Sequence, residues 1–477
     1  MAAPAVPTPD LRIAELFERQ RANQAAVKRT TAGQRVAKLE RLRDAILARE
    51  RDIQEALAAD FKKPPLEADI TEIVPTLMEI KEATRHLHRW MQPQKVKTPA
   101  SLVGTHSAVL YEPKGVVLII GPWNYPFQLA IAPLVAAIAA GNCAVVKPSE
   151  LTVHTSRLIA ELLGSLFADD EVAVLEGDGA IAQQLFALPF DHFFFTGSTR
   201  VGRIVAEAAA RHLASATLEL GGKSPTVVDD SADIATAARR IAWGKFVNSG
   251  QTCIAPDYVL VSEHRERALV DALRTSIEEL YGASEADRRQ SPDLARVINT
   301  RNYERLTKLL DETVLQGARV EIGGEVDAGE RYISPTVLTG VRPDAPVMSE
   351  EIFGPILPVL TYKSFDEVVP FITARDKPLA LYVFGDNPHR VDQVIAGTTA
   401  GGTCVNNTLV HFANHNLPFG GVGPSGTGNY HGVYGFKAFS HERAVLWQGR
   451  LDLLRQIQPP YGPKVKRVVS WMRRLFT

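Results

Sequence analysis

The sequence is poor in cysteine. Its 477 residues contain only Cys143, Cys253 and Cys404, which lie far apart. That spacing provides neither a disulfide framework nor a CxxC pair of the kind that holds metal ions. We therefore expect a reducing compartment and no metal site.

An excess of charge of one sign is also missing. The 53 Lys and Arg residues nearly balance the 54 Asp and Glu residues. Nucleic acid is therefore not expected as the main partner. The amino-terminal Met-Ala-Ala-Pro-Ala-Val-Pro has no basic segment followed by an apolar core, so it predicts no secretory signal and a cytoplasmic protein. The length exceeds that of a single core and predicts two or three domains.

No Asp, Glu, Lys or Arg occurs from Gly115 to Val146, a stretch long enough to span a bilayer. The segment Gly121-Pro-Trp-Asn-Tyr-Pro interrupts it, and prolines there would leave backbone groups unsatisfied in lipid. The stretch instead predicts a strand at Gly115–Ile120, a helix at Gln128–Ala140 and a strand at Cys143–Lys147.

The rest of the chain alternates in the same way. Residues 10–60 and 66–91 have the apolar periodicity of charged, amphipathic helices. Further predicted elements are strands at Asp170–Leu175, Asp191–Thr196, Thr217–Leu220, Thr226–Val228 and Tyr258–Val261, a helix at Ile234–Val247, and a mostly looped segment at Phe419–Gly435. Uninterrupted apolar strands joined by helices are typical of parallel sheets buried on both faces. The predicted fold class is α/β, with two domains and a ligand cleft between them.

A glycine turn follows one predicted strand, in Phe195-Thr-Gly197-Ser198-Thr-Arg-Val-Gly202. Ser198 is placed to cap the next helix, whose free N–H groups and positive dipole end suit a pyrophosphate. The spacing is GxxxxG and not GxGxxG, and a close-packed strand-to-helix turn would have the same sequence. Gly221-Gly-Lys-Ser resembles the end of a P-loop, but Thr217 stands where a P-loop needs glycine, which excludes nucleotide hydrolysis on that basis.

Lys147-Pro-Ser-Glu150 follows a predicted buried strand, whose end should face the ligand crevice. A carboxylate there can accept hydrogen bonds from the hydroxyls of an adenosine ribose and would repel a 2′-phosphate. A solvated turn with a helix cap is the alternative interpretation.

Cys253 lies in Val247-Asn-Ser-Gly-Gln-Thr-Cys253-Ile-Ala-Pro. A lone cysteine is more often a small buried hydrophobe than a nucleophile. The polar, glycine-containing surroundings predict a loop, which favours a functional role. Attack requires a thiolate, and the preceding helix cannot supply it by its dipole, because Cys253 lies beyond the carboxyl end of that helix.

Glu219 is a charge within an apolar strand that runs into Gly221 and Gly222. Burying a carboxylate in that setting is costly. The residue is therefore either an ion-paired structural glutamate or a general base with a raised pKa.

Together, seven short motifs in this order resemble the aldehyde dehydrogenase superfamily over nearly the whole chain: Gly121-Pro-Trp-Asn-Tyr-Pro, Lys147-Pro-Ser-Glu, Phe195-Thr-Gly-Ser-Thr, Leu218-Glu-Leu-Gly-Gly-Lys, Gly250-Gln-Thr-Cys, Glu350-Glu-Ile-Phe-Gly-Pro and Pro418-Phe-Gly-Gly. The segment 414–432 and the short stretch ahead of Trp123 are similar to the class 3 branch. That branch includes fatty and aromatic aldehyde dehydrogenases and is commonly dimeric, so the resemblance implies a homodimer.

The resemblance implies a role for each matching residue. Cys253 matches the nucleophile and Glu219 the general base. Asn124 matches the side-chain donor of the oxyanion hole, which the backbone N–H of Cys253 would complete. The implied contacts to the cofactor are Trp123, Lys147, Glu150, Gly197, Ser198, Gly202, Leu220, Glu351 and Phe353.

The implied reaction is oxidation of an aldehyde to a carboxylic acid through a thioester on Cys253. NAD is expected as the cofactor, with NADP tolerated when Glu150 turns away. Medium- to long-chain aliphatic aldehydes are the first expectation and aromatic or polyene aldehydes the second. Acylating relatives, which pass the thioester to coenzyme A, have less use for Glu219. A non-catalytic, membrane-associated structural protein is an alternative of another class. The presence of Cys253, Glu219 and Asn124 argues against it, because a protein without catalytic activity would not need all three.

The resemblance also divides the chain. Residues 1–94 and 114–218 would form a Rossmann-like NAD-binding domain, 219–405 a catalytic domain, and 95–113 with 406–450 a small β element for bridging and oligomerisation. In the tail, 451–477, apolar residues from Val465 to Phe476 recur at helical spacing among five Lys or Arg residues. Such a basic amphipathic helix can lie on an anionic membrane, or dock against a partner subunit or the substrate entrance.

Overall fold

The computed structural model describes residues 9–452 and 454–476. Residues 1–8, in which no secretory signal is predicted, and Thr477 at the end of the tail lie outside the described residues.

Helices cover much of the described chain. In chain order they are α1 (Leu11–Lys28), α2 (Ala32–Ala48), α3 (Glu50–Phe61), α4 (Pro65–Ala68), α5 (Val74–Trp90), α6 (Gln128–Ala140), α7 (Val153–Leu166), α8 (Gly179–Phe186), α9 (Thr199–Arg211), α10 (Ile234–Phe246), α11 (Glu266–Tyr281), α12 (Glu285–Gln290), α13 (Thr300–Leu315), α14 (Pro346–Ser349), α15 (Val368–Thr373), α16 (Pro388–Gly397), α17 (Gly432–Ala438) and α18 (Pro463–Phe476). A π-helical turn, Asp69–Ile73, joins α4 to α5.

The strands build two large sheets and two small ones. In chain order they are β1 (Gln94–Val96), β2 (Thr105–Pro113), β3 (Val116–Ile120), β4 (Cys143–Lys147), β5 (Val172–Val174), β6 (His192–Thr196), β7 (Ser215–Glu219), β8 (Pro225–Val228), β9 (Tyr258–Ser262), β10 (Arg319–Ile322), β11 (Val326–Asp327), β12 (Tyr332–Ile333), β13 (Thr336–Thr339), β14 (Ile356–Tyr362), β15 (Ala380–Phe384), β16 (Gly402–Val405), β17 (Gly426–Thr427) and β18 (Ser440–Gln448).

The first large sheet has the order β17-β7-β6-β3-β4-β5 in the described chain and is parallel except for β17. Alternate side chains of β3 enter two different cores. Val116 and Leu118 pack with residues of α1 and α9, whereas Val117 and Ile119 pack with residues of α6. Burial on both faces is the physical reason for the uninterrupted apolar run of β3, because successive side chains of a strand point to opposite faces.

The direction of strand addition reverses at β3. From β3 the chain adds β4 and β5 on one side and then β6 and β7 on the other. In open parallel sheets, ligands bind at the carboxyl ends of the strands beside such a reversal. The crevice is therefore expected where β3, β4 and β6 end.

The second large sheet has the order β10-β13-β14-β9-β8-β15-β16 among the described residues, with only β10 antiparallel to its neighbour. Beside the two large sheets, β1, β2 and β18 form a small antiparallel sheet. Most residues of its edge strand β18 are exposed.

The predicted α/β fold class is confirmed, and the differences lie at element ends. The helix α6 and the strand β4 have the predicted bounds. Strand β5 is shorter than predicted and α10 ends one residue early, at Phe246. The segment Phe419–Gly435 is mostly loop but contains β17 and the start of α17. The division into domains stays a prediction.

The apolar stretch 115–146 forms β3, a loop, α6 and β4, and every residue of α6 is buried within the protein. Among the helices of the described chain, none is both long and apolar enough to cross a membrane.

Candidate active site

Four neighbouring parallel strands bring the predicted site residues to one edge of the first sheet. Asn124 lies in the loop that follows β3, Lys147 is the last residue of β4, Gly197 directly follows β6, and Glu219 is the last residue of β7. The sequence separates these residues by up to 95 positions, and the parallel topology unites them.

Glu219 is buried, with 3% of its surface exposed. Neither carboxylate oxygen has a hydrogen-bond partner, and no cation pairs with the group within the described residues. Burial raises its pKa well above the ordinary value of a glutamate. The ion-paired alternative thus finds no support in the described structure, which provides instead a carboxylate with free capacity to bind a proton.

Cys253 lies in the loop between the short turn Val247–Gly250 and β9, and α10 has already ended at Phe246. Burial raises the pKa of its thiol to about 12, and the negative charges of Glu351 and Glu219 act in the same direction. The backbone N–H groups of Cys253 and Ile254 act the other way but are outweighed. A base must therefore take the proton before the sulfur can attack.

Amide side chains fix Asn124 to the loop that carries Cys253. The Asn124 Nδ2 donates to the backbone oxygen of Gln251 at 3.0 Å. In return, Asn248 Nδ2 donates to the backbone oxygen of Asn124 at 2.9 Å. Because an amide nitrogen carries two hydrogens, this bond leaves Asn124 with a second N–H.

The same loop contains two non-glycine residues with left-handed backbone, Asn248 and Ser249, both at φ 54°. Such residues persist where the surroundings hold them, and they cluster at functional sites. Here Glu67 accepts the backbone N–H of Asn248 at 3.0 Å. Gly250, at φ 73°, must be glycine, because a Cβ there would lie 2.3 Å from the oxygen of Gly354.

Residues expected to hold the cofactor also lie at the carboxyl ends of β4 and β6, where the crevice is expected. Lys147 Nζ, which is almost fully buried, lies 2.7 Å from Glu150 Oε2 at the end of β4. Ser198 caps α9 by accepting the N–H of Val201, as predicted. The hydroxyl of Thr196 is buried at the end of β6 and has no hydrogen-bond partner among the residues that the structure describes. An ammonium, a carboxylate, a spare hydroxyl and a helix start fit the ribose and pyrophosphate of a dinucleotide.

Glu351 and Phe353 lie in the loop after α14. Glu351 is partly buried and lies against Gly221, where a Cβ would lie 1.8 Å from Glu351 Oε2, so the glycine allows this close approach. Burial raises the pKa of Glu351 to about 8. Phe353, at φ 49°, meets the Trp123 ring edge to face, with ring centres 5.2 Å apart.

Packing explains two of the predicted glycines. A Cβ on Gly202 would lie 2.6 Å from Leu220, and a Cβ on Gly197 would lie 2.6 Å from the ring of Phe195. The close-packed turn was the alternative interpretation of this segment, and it holds for these glycines whether or not a pyrophosphate binds. Lys223 pairs with Asp257 and donates to the oxygen of Val347, a structural role that agrees with rejecting a P-loop.

Cys253 opens onto a cavity with mostly apolar walls. Its aromatic lining residues are Tyr125, Trp243, Phe412, Phe419, Tyr430 and His431. The Tyr125 hydroxyl lies 2.5 Å from Thr252 Oγ1, next to Cys253 in the chain. None of these aromatic residues was predicted as a site residue, although Tyr125, Phe419, Tyr430 and His431 stand within motifs that the resemblance uses.

Comparison with known proteins identifies the class to which this fold and site belong. The model of the aldehyde dehydrogenase family matches residues 10–445, and the chain belongs to that family. It is 47% identical over 440 residues to the 4,4'-diaponeurosporen-aldehyde dehydrogenase of Staphylococcus aureus, covering 92% of this chain and 94% of the relative. The substrate-bound structure of Staphylococcus aureus AldH superposes with a TM-score of 0.92 at 45% identity, covering 96% of this chain and 99% of that one.

Within the family, the similarity extends to the class 3 members. Mouse aldehyde dehydrogenase family 3 member B2 is 47% identical over 423 residues, covering 88% of this chain and 86% of the relative. The protein is therefore an aldehyde-oxidising oxidoreductase that uses NAD or NADP, as the resemblance implied.

Proposed function

We propose that this enzyme oxidises aldehydes through a thioester on Cys253 and that Glu219 activates the water that hydrolyses it. The observation that carries the proposal is the buried, unpartnered carboxylate of Glu219, whose negative charge also raises the pKa of the Cys253 thiol. This effect of the Glu219 charge on the thiol supports a common site for the two groups.

In the first step, the thiol proton leaves to a base and the sulfur adds to the aldehyde carbon, giving an oxyanion. Glu219 and Glu351, the two carboxylates that influence the thiol, are the candidate bases. The free N–H of Asn124 and the backbone N–H of Cys253 would donate to the oxyanion. Each such donor typically contributes about 10²–10³ in rate, because it is aimed at charge that develops in the transition state.

The nicotinamide, when bound, supplies a hydride acceptor for this intermediate. Lys147 and Glu150 would hold the adenosine ribose, and Glu351 and Phe353 the nicotinamide ribose. Trp123, whose ring meets that of Phe353, would also contact the cofactor. Loss of hydride from carbon leaves a thioester on the sulfur of Cys253, so one difficult oxidation is divided into two steps.

In the last step, Glu219 takes a proton from water, and the resulting hydroxide attacks the thioester carbonyl. The carboxylic acid leaves and the Cys253 thiolate is restored. A carboxylate with a raised pKa is suited to this work because its proton affinity approaches that of the group it serves. Its presence favours hydrolysis over transfer to coenzyme A.

Medium- to long-chain aliphatic aldehydes are the proposed substrates. The cavity is lined by apolar and aromatic side chains. At its mouth, Ile70 belongs to a row of exposed apolar residues four positions apart, comprising Leu66, Ile70, Val74 and Met78. This row would extend the apolar surface available to a long chain. A polyene aldehyde is the second candidate, which the name of the Staphylococcus aureus relative supports.

A panel of aldehydes of increasing chain length, followed by absorbance of the reduced cofactor, tests the substrate class. We expect kcat/KM to rise from two carbons to about ten, because each buried CH₂ contributes about 0.8 kcal/mol. A polyene aldehyde that exceeds every saturated one would favour the second candidate. Equal kcat/KM at all lengths would contradict both.

NAD is the proposed preferred cofactor, with NADP accepted more weakly. The Glu150 carboxylate is 44% exposed and pairs with Lys147, so it can accept hydroxyl groups of a ribose and can also turn away.

We also propose a homodimer in which β18 contributes to the interface. This nine-residue strand lies at the edge of its sheet, and Leu446 and Trp447 on it are exposed. An exposed edge of this length is a ready template for pairing with a second copy. Sedimentation equilibrium should give twice the chain mass, and a monomer at micromolar concentration would contradict the proposal.

For the tail, we propose peripheral contact with an anionic membrane. Helix α18 contains Lys or Arg at five positions and no acidic residue, while Val465, Val468 and Val469 are half-buried. Flotation with phosphatidylserine vesicles should retain the full chain and lose a chain that ends at residue 463. Equal flotation of both would instead favour docking on the partner subunit or the substrate entrance.

A further inference from the structure

A cluster of one carboxylate and two imidazoles adjoins the aldehyde cavity, and the proposed chemistry does not use it. Glu79 of α5 is 2% exposed and lies 3.1 Å, through Oε2, from both His431 Nδ1 and His415 Nε2. Its other oxygen accepts the backbone N–H of Gly432 at 2.7 Å. Of these residues, His431 lines the cavity.

This cluster composition could suit a metal ion, but the hydrogen bonds favour another role. Three N–H donors occupy the two oxygens of Glu79, so the protein itself satisfies the buried carboxylate. An ion would have to displace both imidazole protons. The donors instead hold one end of the segment 409–432, which supplies the cavity with Leu409, Phe412, Phe419, Tyr430 and His431.

The backbone at His431 needs such an anchor. His431 has φ 75° and the next residue, Gly432, has φ 51°. A non-glycine residue with left-handed φ costs free energy and persists only where its surroundings hold it. Glu79 binds the side chain of the first residue and the N–H of the second, and thereby holds this turn from the neighbouring helix.

The turn also fixes the cavity wall. The His431 ring stacks on the Tyr430 ring, with centres 3.9 Å apart and planes at 28°. The Phe419 ring lies 5.5 Å from the same imidazole. Displacement of His431 would therefore move three rings of the wall together.

We infer that Glu79 is a positioning residue that acts through His431 to set the affinity of the cavity for the hydrocarbon chain of the aldehyde. It does not touch the reacting atoms. This inference deepens the proposed function, since it rests on the chain of the substrate lying in this cavity.

The test compares Glu79→Gln with the matched control Glu82→Gln. Glu82 is also on α5 and pairs with an imidazole, that of His86 at 3.1 Å, but neither residue lines the cavity. In Glu79→Gln we expect KM for a ten-carbon aldehyde to rise about tenfold, the size of one lost charge-assisted hydrogen bond, with kcat changed less than about threefold. The control should leave both within about twofold.

A milder variant keeps the test decisive if Glu79→Gln does not fold. His415 is at the edge of the cluster, with 13% of its side chain exposed, and His415→Leu removes one of the three donors. It should raise the same KM about threefold, whereas His415→Gln, which retains an N–H donor, should restore it. Unchanged KM in folded Glu79→Gln, or equal effects of Glu79→Gln and Glu82→Gln, would overturn the inference. A large fall in kcat at constant KM would do so too, by placing the cluster in the chemistry.

Hydrogen exchange tests the anchor without turnover. Peptides within 409–432 should exchange faster in Glu79→Gln than in wild type and be unchanged in Glu82→Gln. Equal exchange in all three proteins would refute the anchor. If wild type oxidised no aldehyde of any length, the proposed function would fail, and this measurement would still decide whether Glu79 holds the wall.

Discussion

Two buried glutamates near the same cavity show how partners decide what a carboxylate does. Glu219 and Glu79 are 3% and 2% exposed, and the charges of both raise the pKa of Tyr430. Glu219, at the end of β7, accepts no hydrogen bond from any described residue, and its pKa is raised well above its usual range. For Glu79 burial acts in the same upward direction, but hydrogen bonds from His415 and His431 outweigh it and hold the pKa at about 2.

The difference separates a reacting group from a supporting one. Glu79 stays charged throughout the physiological range, so its hydrogen bonds persist and the wall it holds does not titrate. Glu219, whose pKa is raised and whose oxygens accept no hydrogen bond among the described residues, has the capacity to take up a proton, which a general base must do. The burial of a carboxylate therefore does not by itself predict whether it reacts or supports the structure. The number of hydrogen-bond donors around it distinguishes the two.

The largest effect on activity is expected at Cys253, the residue whose thioester Glu219 is proposed to hydrolyse. Cys253→Ser should reduce aldehyde oxidation by about 10³ or more, because a serine hydroxyl is a far weaker nucleophile. NAD binding, followed by quenching of tryptophan fluorescence, should be unchanged. Cys404→Ser is the matched control and should keep full activity, since Cys404 lies in β16 and lines no part of the cavity. Retained oxidation in Cys253→Ser would refute the mechanism.

The pH dependence of kcat should follow Glu219 and not Glu79. A base must be deprotonated, and the pKa of Glu219 is raised. Where hydrolysis limits turnover, kcat should therefore rise about tenfold per pH unit below that pKa and level off above it. Glu219→Gln should lose the slope together with about 10²–10⁴ in rate, whereas Glu79→Gln should keep the slope. A wild-type slope in Glu219→Gln would assign the titration to another group.

Stability should respond to the two glutamates in opposite ways. Glu79→Gln removes a carboxylate that satisfies three buried donors and should lower the free energy of unfolding by about 2–4 kcal/mol at pH 7. Glu219→Gln removes a buried, unpartnered charge and should leave stability unchanged or raise it by about 1 kcal/mol. Urea unfolding of the two variants checks this, and equal losses would show that the donor count does not distinguish them.

The sign of the pH dependence of stability differs as well. The folded pKa of Glu79 is lowered, so its contribution is fully present above the unfolded value of about 4.3 and is lost as the pH falls toward 2. The folded pKa of Glu219 is raised, so its cost is absent below about 4.3 and grows as the pH rises toward the folded value. Acid titration of unfolding should accordingly be flatter in Glu79→Gln, and titration upward from the unfolded value of about 4.3 should be flatter in Glu219→Gln.

The smallest effect is expected at the ribose site. Glu150→Gln removes a half-exposed charge that would repel a 2′-phosphate, so NADP affinity should rise about three- to tenfold and NAD affinity should fall slightly. Titration of each cofactor against the unreacted enzyme measures both. No gain for NADP would show that Glu150 does not set the preference.

The same comparison shows what the sequence could and could not reveal. The bounds of α6 and β4 were predictable because every residue of both elements is buried. The buried run of each therefore ends at the same residue as the helix or strand. The buried state of Glu219 was predictable from the strand around it, since flanking apolar residues fix the burial of a strand. Its lack of a partner was not predictable, because an ion-paired structural glutamate and a general base with a raised pKa would have the same local sequence.

The contact between Glu79 and the cavity wall could not be predicted from the sequence, because the residues that form it are far apart in the chain. Glu79 and His431 are separated by 352 positions, and nothing in the pattern around either residue indicates the other. The left-handed turn at Asn248 and the π-helical turn Asp69–Ile73 were missed for a related reason, since tertiary contacts hold local conformations that the residues themselves do not prefer.

A single-turnover experiment with Glu219→Gln tests the central claim most directly. Mixed with NAD and an excess of aldehyde, this variant should release one equivalent of reduced cofactor per active site and then stop. Mass spectrometry should find the acyl group on the peptide that contains Cys253. Continued turnover at the wild-type rate, or a burst without an acyl group on Cys253, would contradict the account.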